Sequence, residues 1–490
     1  MQIKNQLFID GQWCDSSNGQ SFEVINPATG DVITSVQQAT REDIRRAVDS
    51  AQKAFDNVWR TMNPFERSAI IHKIGDAITD HLDALAGIET DDVGKPVFES
   101  INIDVAGGAA TMHYFADIAV DLRGDVIPAP YSEVLNYTLR EPIGVVGAII
   151  PWNFPFLIAC RKIGSALAAG NTIVIKPATW APLSTIQLGR IFEQAGLPEG
   201  VVNIIPAAGP DVGAVFSEAG PIKEVTFTGS TAIGAQLYES CSRNLKGCTL
   251  ELGGKSPAIV LPDCDMEETI AGTLFGVYLS QGECCCAATR LIVHDDVYDE
   301  FVEGFVAASE AIKIGMPRDE DTRMGSLVHP EHLRTVMDYV AVGKEEGATV
   351  LCGGNRLTQG DFARGNFMEA TVFADVKPSM RIWKEEVFGP VVTITKSDDI
   401  DEMVELANDS AYGLAASIWT TDLKNAHSLA ARIEAGTVWL NLHNFVFPTA
   451  PYAGYKASGV GSELGRDGVL ALTKTKSVMV SLFEGGFKWY

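Results

Sequence analysis

Between positions 143 and 228 lie four short runs in which apolar and β-favouring residues do not alternate with polar ones: 143–150, 172–176, 201–205 and 224–228. A strand with one wet face alternates; a run that does not is a strand covered on both faces. Covering both faces is the property of parallel sheets, because parallel neighbours need crossover connections and those crossovers lay helices on the sheet. The stretches between the runs, which recur every 20 to 30 residues, are helix-compatible. The chain is therefore constrained to an α/β fold, and a nucleotide-binding lobe is the natural expectation.

A second alternating set runs from 257 to 439: strand 257–261, helix 266–281, strand 290–294, helix 297–312, then strands at 391–395, 415–419 and 437–440. That predicts a second α/β lobe. Upstream, Ile44, Ala47, Val48, Ala51, Ala54, Phe55 and Val58 fall at helical spacing behind Thr40, which predicts an N-capped amphipathic helix over 40–58. Weaker strand-like alternation at 133–141 and 476–482 belongs to neither lobe. The 18 uncharged residues at 143–160 contain Pro151, Asn153 and Pro155, which would break a membrane-spanning helix, so they read as a strand and a turn.

With 490 residues, 46% of them apolar and 21% charged, the chain can bury a large core, which excludes a peptide-sized module, a disordered chain and a fibrous repeat. The net charge of −25 repels nucleic acid and anionic membranes and makes each Lys or Arg inside a motif informative. Nine cysteines without a CxxC pair are neither a disulfide framework nor a zinc site, and no Cys/His cluster suggests a metal. The first ten residues lack a signal-peptide pattern, so a cytoplasmic protein is expected.

Chemistry concentrates in a few motifs. Residues 280–290 read SQGECCCAATR, with three adjacent cysteines after a helical stretch; a thiol in a turn near a helix end can act as a nucleophile, while three small buried apolar residues are the bland alternative. Residues 249–257, TLELGGKSP, place Glu251 in an apolar strand before a Gly-Gly turn. A carboxyl there has a raised pKa and can serve as a general base, or be a structural ion-pair partner. PWNFP at 151–155 follows the first strong strand, at the carboxyl end where parallel sheets hold ligands, and Asn153 there could donate to an oxyanion or simply form the turn. Lys176-Pro177 ends the next strand, and FTGSTAIG at 227–234 ends another and opens a helix whose amino terminus suits a pyrophosphate, although no GxGxxG is present.

Taken together, PWNFP, KP, FTGS, ELGGKSP, GECCCAATR, EEVFGP at 385–390 and GYKASGVG at 454–461 resemble the NAD(P)-dependent aldehyde dehydrogenase superfamily, in family order and over nearly the whole chain. The resemblance implies two α/β lobes with parallel sheets, a Rossmann-like cofactor domain (1–123 and 143–253) and a catalytic domain (254–468), plus a small β bridging element (124–142 and 469–490) that joins subunits of a homodimer or homotetramer. It implies Cys285 as nucleophile, Glu251 as general base, Asn153 with the Cys285 amide as oxyanion hole, and Lys162 with Glu463 as proton relay. NAD or NADP would be held by Ile149, Trp152, Lys176, Thr179, Gly209, Gly229, Ser230, Ile233, Leu252, Glu386 and Phe388. The implied reaction oxidises an aldehyde to a carboxylate by way of a thiohemiacetal and a thioester, and Glu251 favours hydrolysis of the latter.

Three positions depart from the family pattern. Glu283 stands where Gln is common; pointing inward it would repel a thiolate, and the expectation is that it faces solvent. Thr179 stands where a Glu often repels the 2′-phosphate, which keeps NADP open beside NAD. Arg161 replaces an aromatic residue in the substrate tunnel, either as a structural salt bridge or as a binder of a carboxylate or hydroxyl oxygen. By resemblance to lactaldehyde-type and semialdehyde-type members, Arg161, Phe154, His443 and Phe445 would face the substrate, a short polar aldehyde or semialdehyde. Leu279, Val446 and Phe447 do not match the polar residues of succinic-semialdehyde enzymes. Betaine aldehyde, a cation, sits poorly beside Arg161, although whole-chain similarity to that branch keeps it open. Rival readings are a nucleotide sensor that has lost catalysis, against which Cys285, Glu251 and Asn153 all stand, and a cofactor-independent thiol esterase.

Overall fold

The unalternating runs are parallel strands. A computed structural model describes residues 2–209, 211–486 and 489; positions 1 and 210 of the expected cofactor domain, and 487, 488 and 490 of the expected bridging element, lie outside the described residues. An eight-stranded sheet has the order Gln12–Cys14, Leu7–Ile9, Val202–Ile204, Thr172–Lys176, Val145–Ile149, Ile222–Thr228, Gly247–Glu251, Gly459–Val460. The five strands in its middle run parallel, and the outer ones add antiparallel. Both-face burial is visible within one strand: Val146 and Ala148 enter the core built from helices Pro64–Asp80, Ala106–Asp121 and Pro155–Ala168, while Val145 enters the core under Arg41–Asn57.

Strand order reverses between Val145–Ile149 and Ile222–Thr228, since the next strands in sequence lie on opposite sides of this pair. At such a switch point the connections leave in opposite directions and open a crevice at the carboxyl ends of the strands. The crevice is bordered by the turn after Ile149 and the loop after Thr228.

The second sheet has seven strands in the order Thr349–Cys352, Thr371–Ala374, Val391–Ser397, Arg290–His294, Pro257–Val260, Ala415–Trp419, Thr437–Leu440, all parallel except the first. A third sheet pairs Thr473–Ser481 with Val134–Pro142 and Val126–Ile127, the two weakly alternating stretches of the sequence.

Local signals set most boundaries. Thr40 caps Arg41–Asn57 with a capping box closed by Asp43. The uncharged stretch at 143–160 becomes strand Val145–Ile149, a turn, and helix Pro155–Ala168 with Pro155 in its first turn, where the missing N–H costs nothing. Among the described residues no helix is long and apolar enough to cross a membrane. The helix expected over 266–281 stops at Tyr278. Its apolar pattern runs on through Leu279, but Ser280 and Gln281 adopt left-handed backbone (φ 51° and 56°), held by partners distant in sequence.

Candidate active site

Cys285 sits in the short turn between Gly282 and strand Arg290–His294, facing the crevice from the second lobe. It is half-buried, whereas Cys284 and Cys286 are buried, their sulfurs 3.5 Å apart. The Cys285 Sγ lies 3.9 Å from the Tyr452 hydroxyl. A hydrogen bond with Cys284 favours the thiolate, but the bond with Cys286 and burial outweigh it, and the Cys285 thiol is pushed up to about 12.

The Gly-Gly pair of ELGGKSP is explained by how closely the two lobes approach. A Cβ on Gly254 would lie 2.2 Å from the Cys285 carbonyl oxygen, and one on Gly253 would lie 2.3 Å from Glu386 Oε2. The missing side chains let the Cys285 turn and Glu386 press against the strand that ends in Glu251. Glu386 Oε1 accepts from the Gly254 N–H at 2.9 Å.

Glu251 ends strand Gly247–Glu251, paired with Thr228 on one side and Gly459 on the other. Both of its carboxyl oxygens are buried without a hydrogen-bond partner among the described residues. Burial, and then the charge of Glu463, push its carboxyl well above the usual range against the pull of Lys162. A buried carboxyl without a hydrogen-bond partner is costly to keep ionised. Beside it, buried Lys162 donates to Glu463 Oε1 and, at 2.7 Å, to the Thr226 hydroxyl, which in turn donates to Glu463 Oε1 at 3.1 Å. Asn153, 4% exposed, donates its amide to the Glu283 carbonyl at 2.9 Å, which hangs it from the same turn that carries Cys285.

Cys285, Glu251, Glu463, Arg161, Phe154 and Phe445 all line one cavity of about 340 Å³. Arg161 is half-buried and has no ion-pair partner among the described residues. Tyr452, Thr228, Asn102, Ile103 and Asn444 also line the cavity and were not singled out from sequence; Ile103 and Asn102 come from a π-helical turn, Ser100–Val105, that the apolar pattern does not announce.

Two expectations need correction. His443 does not face this cavity: it is 1% exposed, its ring nitrogens bonded to the Ser417 hydroxyl (2.9 Å) and the Cys286 carbonyl (2.8 Å). Left-handed Asn441 and Asn444 turn the chain so that His443 points inward while Phe445, one residue beyond the turn, points to the cavity. Glu283 does not face solvent either; it is fully buried, and desolvation raises its carboxyl well above the usual range.

A second, larger cleft of about 850 Å³ opens at the switch point and meets the first at Thr228. Ile149, Trp152, Lys176, Thr179, Gly209, Gly229, Ser230 and Ile233 line it. The residues fit a dinucleotide. Ser230 precedes helix Thr231–Ser242 without capping it by its side chain, which leaves the hydroxyl and the helix's first N–H groups for an anion. Half-buried Lys176, its ammonium pushed down to about 8 by desolvation, reaches the Thr179 hydroxyl at 3.3 Å. Leu252, Glu386 and Phe388 are not in this lining. Leu252 is buried against Gly234, Glu386 stands by Gly253 and Gly254, and the Phe388 ring meets Trp152 edge-on at 5.2 Å.

The aldehyde dehydrogenase family model matches residues 13–478. The mitochondrial aldehyde dehydrogenase of Rattus norvegicus is 42% identical over 481 residues, 98% of this chain and 92% of that protein. An NAD+ complex structure of aldehyde dehydrogenase from Bacillus cereus has a TM-score of 0.95 at 42% identity, covering 98% of this chain and 96% of that one. Betaine aldehyde dehydrogenase from Staphylococcus aureus, in complex with NAD+, has a TM-score of 0.97 at 37% identity, covering 100% of this chain and 97% of that one.

Proposed function

This chain belongs to the aldehyde dehydrogenase family, and we propose that it oxidises a short polar aldehyde or semialdehyde to the carboxylate with Cys285 as nucleophile and Glu251 as general base. The enzyme is an NAD(P)-dependent oxidoreductase acting on aldehydes. The observation that carries the finer reading is that Cys285, Glu251 and Arg161, the last two without a hydrogen-bond or ion-pair partner respectively among the described residues, share one cavity that meets a dinucleotide-sized cleft at Thr228.

Bound in that cleft, the nicotinamide of NAD or NADP supplies the acceptor for the two electrons that the aldehyde carbon gives up. Lys176, Thr179, Gly209, Gly229 and Ser230 would hold it, with Glu386 and Phe388 contributing from the other lobe. Cys285, losing its proton to Glu251, bonds to the aldehyde carbon as a thiohemiacetal. The developing oxyanion is met by the Asn153 amide and the Cys285 backbone N–H, donors already fixed in place. In the thioester that follows, Glu251 takes a proton from water, the resulting hydroxide adds to the acyl carbon, and the Cys285 thiolate leaves. Lys162, in its bonds with Thr226 and Glu463, offers the route by which Glu251 passes its proton on. Arg161 suits a carboxylate or hydroxyl at the far end of the substrate.

In the proposed division, residues 1–123 and 143–253 hold the cofactor, 254–468 carry the nucleophile, and 124–142 with 469–490 bridge subunits. Strand Thr473–Ser481 lies at the edge of its sheet, and Leu135, Leu139, Met479 and Val480 are exposed there, which supports a homodimer or homotetramer. Sedimentation velocity checks this, a monomer refuting it.

The test of function follows reduced nicotinamide by absorbance against glycolaldehyde, lactaldehyde, succinic semialdehyde, betaine aldehyde, benzaldehyde and hexanal, each with NAD and with NADP. Polar or anionic short aldehydes are expected to lead, and Cys285→Ala to abolish turnover. Retained oxidation in Cys285→Ala refutes the nucleophile; leadership by apolar aldehydes refutes the substrate class.

A further inference from the structure

The turn that leads into Cys285 is strained. Ser280 (φ 51°, ψ 44°) and Gln281 (φ 56°, ψ 27°) are consecutive non-glycine residues in left-handed backbone, followed by Gly282 at φ 71°. Such residues persist only where the surroundings over-determine them. A Cβ on Gly282 would lie 2.3 Å from the Gly389 carbonyl oxygen, so the turn is wedged against the 389–390 peptide as well.

The surroundings that hold it are two buried carboxyls that no step of the reaction uses. Glu99, 6% exposed, accepts from the Ser280 N–H through Oε2 at 3.0 Å. Glu283, 0% exposed, accepts from the Val328 N–H through Oε1 at 3.0 Å. Between them the Gln281 side chain accepts from the Gly325 N–H at 3.2 Å and donates to the Ser326 carbonyl at 3.3 Å. The peptide carbonyl of Glu283 is the acceptor for Asn153. Neither carboxyl lines the substrate cavity.

We propose that Glu99 and Glu283 are positioning residues whose carboxyl oxygens clamp the left-handed turn at its two ends and so place Cys285 and Asn153 in one frame. The consequence is specific: the nucleophile and the side-chain oxyanion donor share a mount, so a slip of the turn displaces both at once. Near-attack geometry tolerates little displacement, and a shift of about 1 Å costs on the order of a hundredfold in rate.

The clamp needs an acceptor oxygen at the right reach rather than a charge. The charged and titratable groups facing Glu283 are Lys95 and His332, whose Nε2 lies 3.6 Å from Oε1; those facing Glu99 are Lys95, Asp104 and Arg323. Desolvation is the first cause acting on both carboxyls and raises both, Glu99 to about 8, so each can accept as a neutral acid. A glutamine amide oxygen can therefore take the same place.

The inference rests on the reading of Cys285 as nucleophile. Its test uses Glu99→Gln, Glu99→Leu, Glu99→Asp and the same three changes at Glu283. Two quantities are measured: kcat and KM per Cys285 titratable by iodoacetamide, and the rate of Cys285 carboxamidomethylation in protein without added nucleotide, localised by peptide mass. The Leu variants, and the Asp variants whose acid is one methylene too short, are expected to lose roughly tenfold to a hundredfold in kcat with aldehyde KM within about twofold. Their alkylation rates shift away from that of the parent, while both Gln variants stay within about threefold of the parent in kcat and alkylation. Gln variants as impaired as Leu variants would overturn the proposal, as would Leu and Asp variants that match the parent per titrated Cys285. A loss confined to the folded fraction lowers the titre and leaves both per-site rates unchanged, which also overturns it. Failure of the nucleophile reading shows separately, as aldehyde oxidation by Cys285→Ala.

Discussion

Arg161→Met removes the cavity's arginine, which has no ion-pair partner among the described residues, while keeping a side chain of similar length. The magnitude follows from what the guanidinium can offer a substrate carboxylate: a charge-assisted, two-pronged hydrogen bond worth about 1.5–3 kcal/mol. Arg161 is half-buried, so water already screens part of the interaction and the lower figure applies. About 1.5 kcal/mol corresponds to roughly a twelvefold loss in kcat/KM. A second effect runs in parallel. Arg161 is among the charges that pull the Glu251 carboxyl down, so its removal lifts Glu251 further and slows every substrate alike at a given pH. The informative quantity is thus a ratio, kcat/KM for succinic semialdehyde over kcat/KM for butanal, in which the Glu251 effect cancels. The variant is expected to lower this ratio about tenfold or more. An unchanged ratio with both rates lowered would show that Arg161 acts only on Glu251; an unchanged ratio with unchanged rates would leave it no role in the cavity, and either outcome refutes substrate recognition by Arg161.

Glu251→Gln is expected to lower steady-state turnover by about a hundredfold or more, because the thioester then lacks its base. Because Glu251 is also proposed to take the Cys285 proton, the first-turnover burst of reduced nicotinamide is expected to shrink in stopped flow as well; a full burst that survives would confine Glu251 to hydrolysis. In the parent enzyme the raised Glu251 carboxyl is protonated at low pH and inactive as a base, so kcat rises with pH as the proton leaves. A pH profile that is flat, or that falls through the neutral range, contradicts this role. Thr179→Glu places a carboxylate where the 2′-phosphate of NADP would approach, and should lower the NADP-to-NAD ratio of kcat/KM by about tenfold or more; an unchanged ratio moves the ribose elsewhere in the cleft.

The parts of this fold that were legible in sequence are those whose cause is local. Strand Thr172–Lys176 and helix Arg41–Asn57 are set by their own burial pattern and by a cap within the same segment, and they begin and end within a residue or two of where the pattern puts them. The catalytic turn is different in kind. Ser280 is left-handed because a carboxyl 181 residues away receives its N–H, and nothing in the order of residues 266–281 carries that information. His443 was misplaced for a related reason. A linear reading lays the segment from Asn441 along the tunnel, whereas two left-handed asparagines fold it so that neighbours face opposite ways. Tyr452 escaped notice because its contact with Cys285 joins residues 167 apart. Glu283 was misread because a charged residue type favours the surface on average, and that average yields where the Val328 N–H and the Gln281 side-chain amide need an acceptor inside.

The charge of the chain makes the arrangement of the two cavities more than incidental. A protein with a net charge of −25 repels anions over long distances, yet the ligands proposed for it, a dinucleotide and a polar or anionic aldehyde, are themselves anionic or electron-rich. Long-range attraction therefore cannot gather them, and binding falls to groups that act within a few ångströms. These are few: half-buried Lys176 and the exposed, uncapped start of helix Thr231–Ser242 in one cavity, and half-buried Arg161 in the other. Partial burial strengthens the two side-chain charges, because a charge removed from water is worth more than one fully surrounded by it. Burial also raises the Glu251 carboxyl, while the Cys286 hydrogen bond and then burial raise the Cys285 thiol, so the surroundings that let the protein hold an anion also disfavour charge on the proposed base and nucleophile.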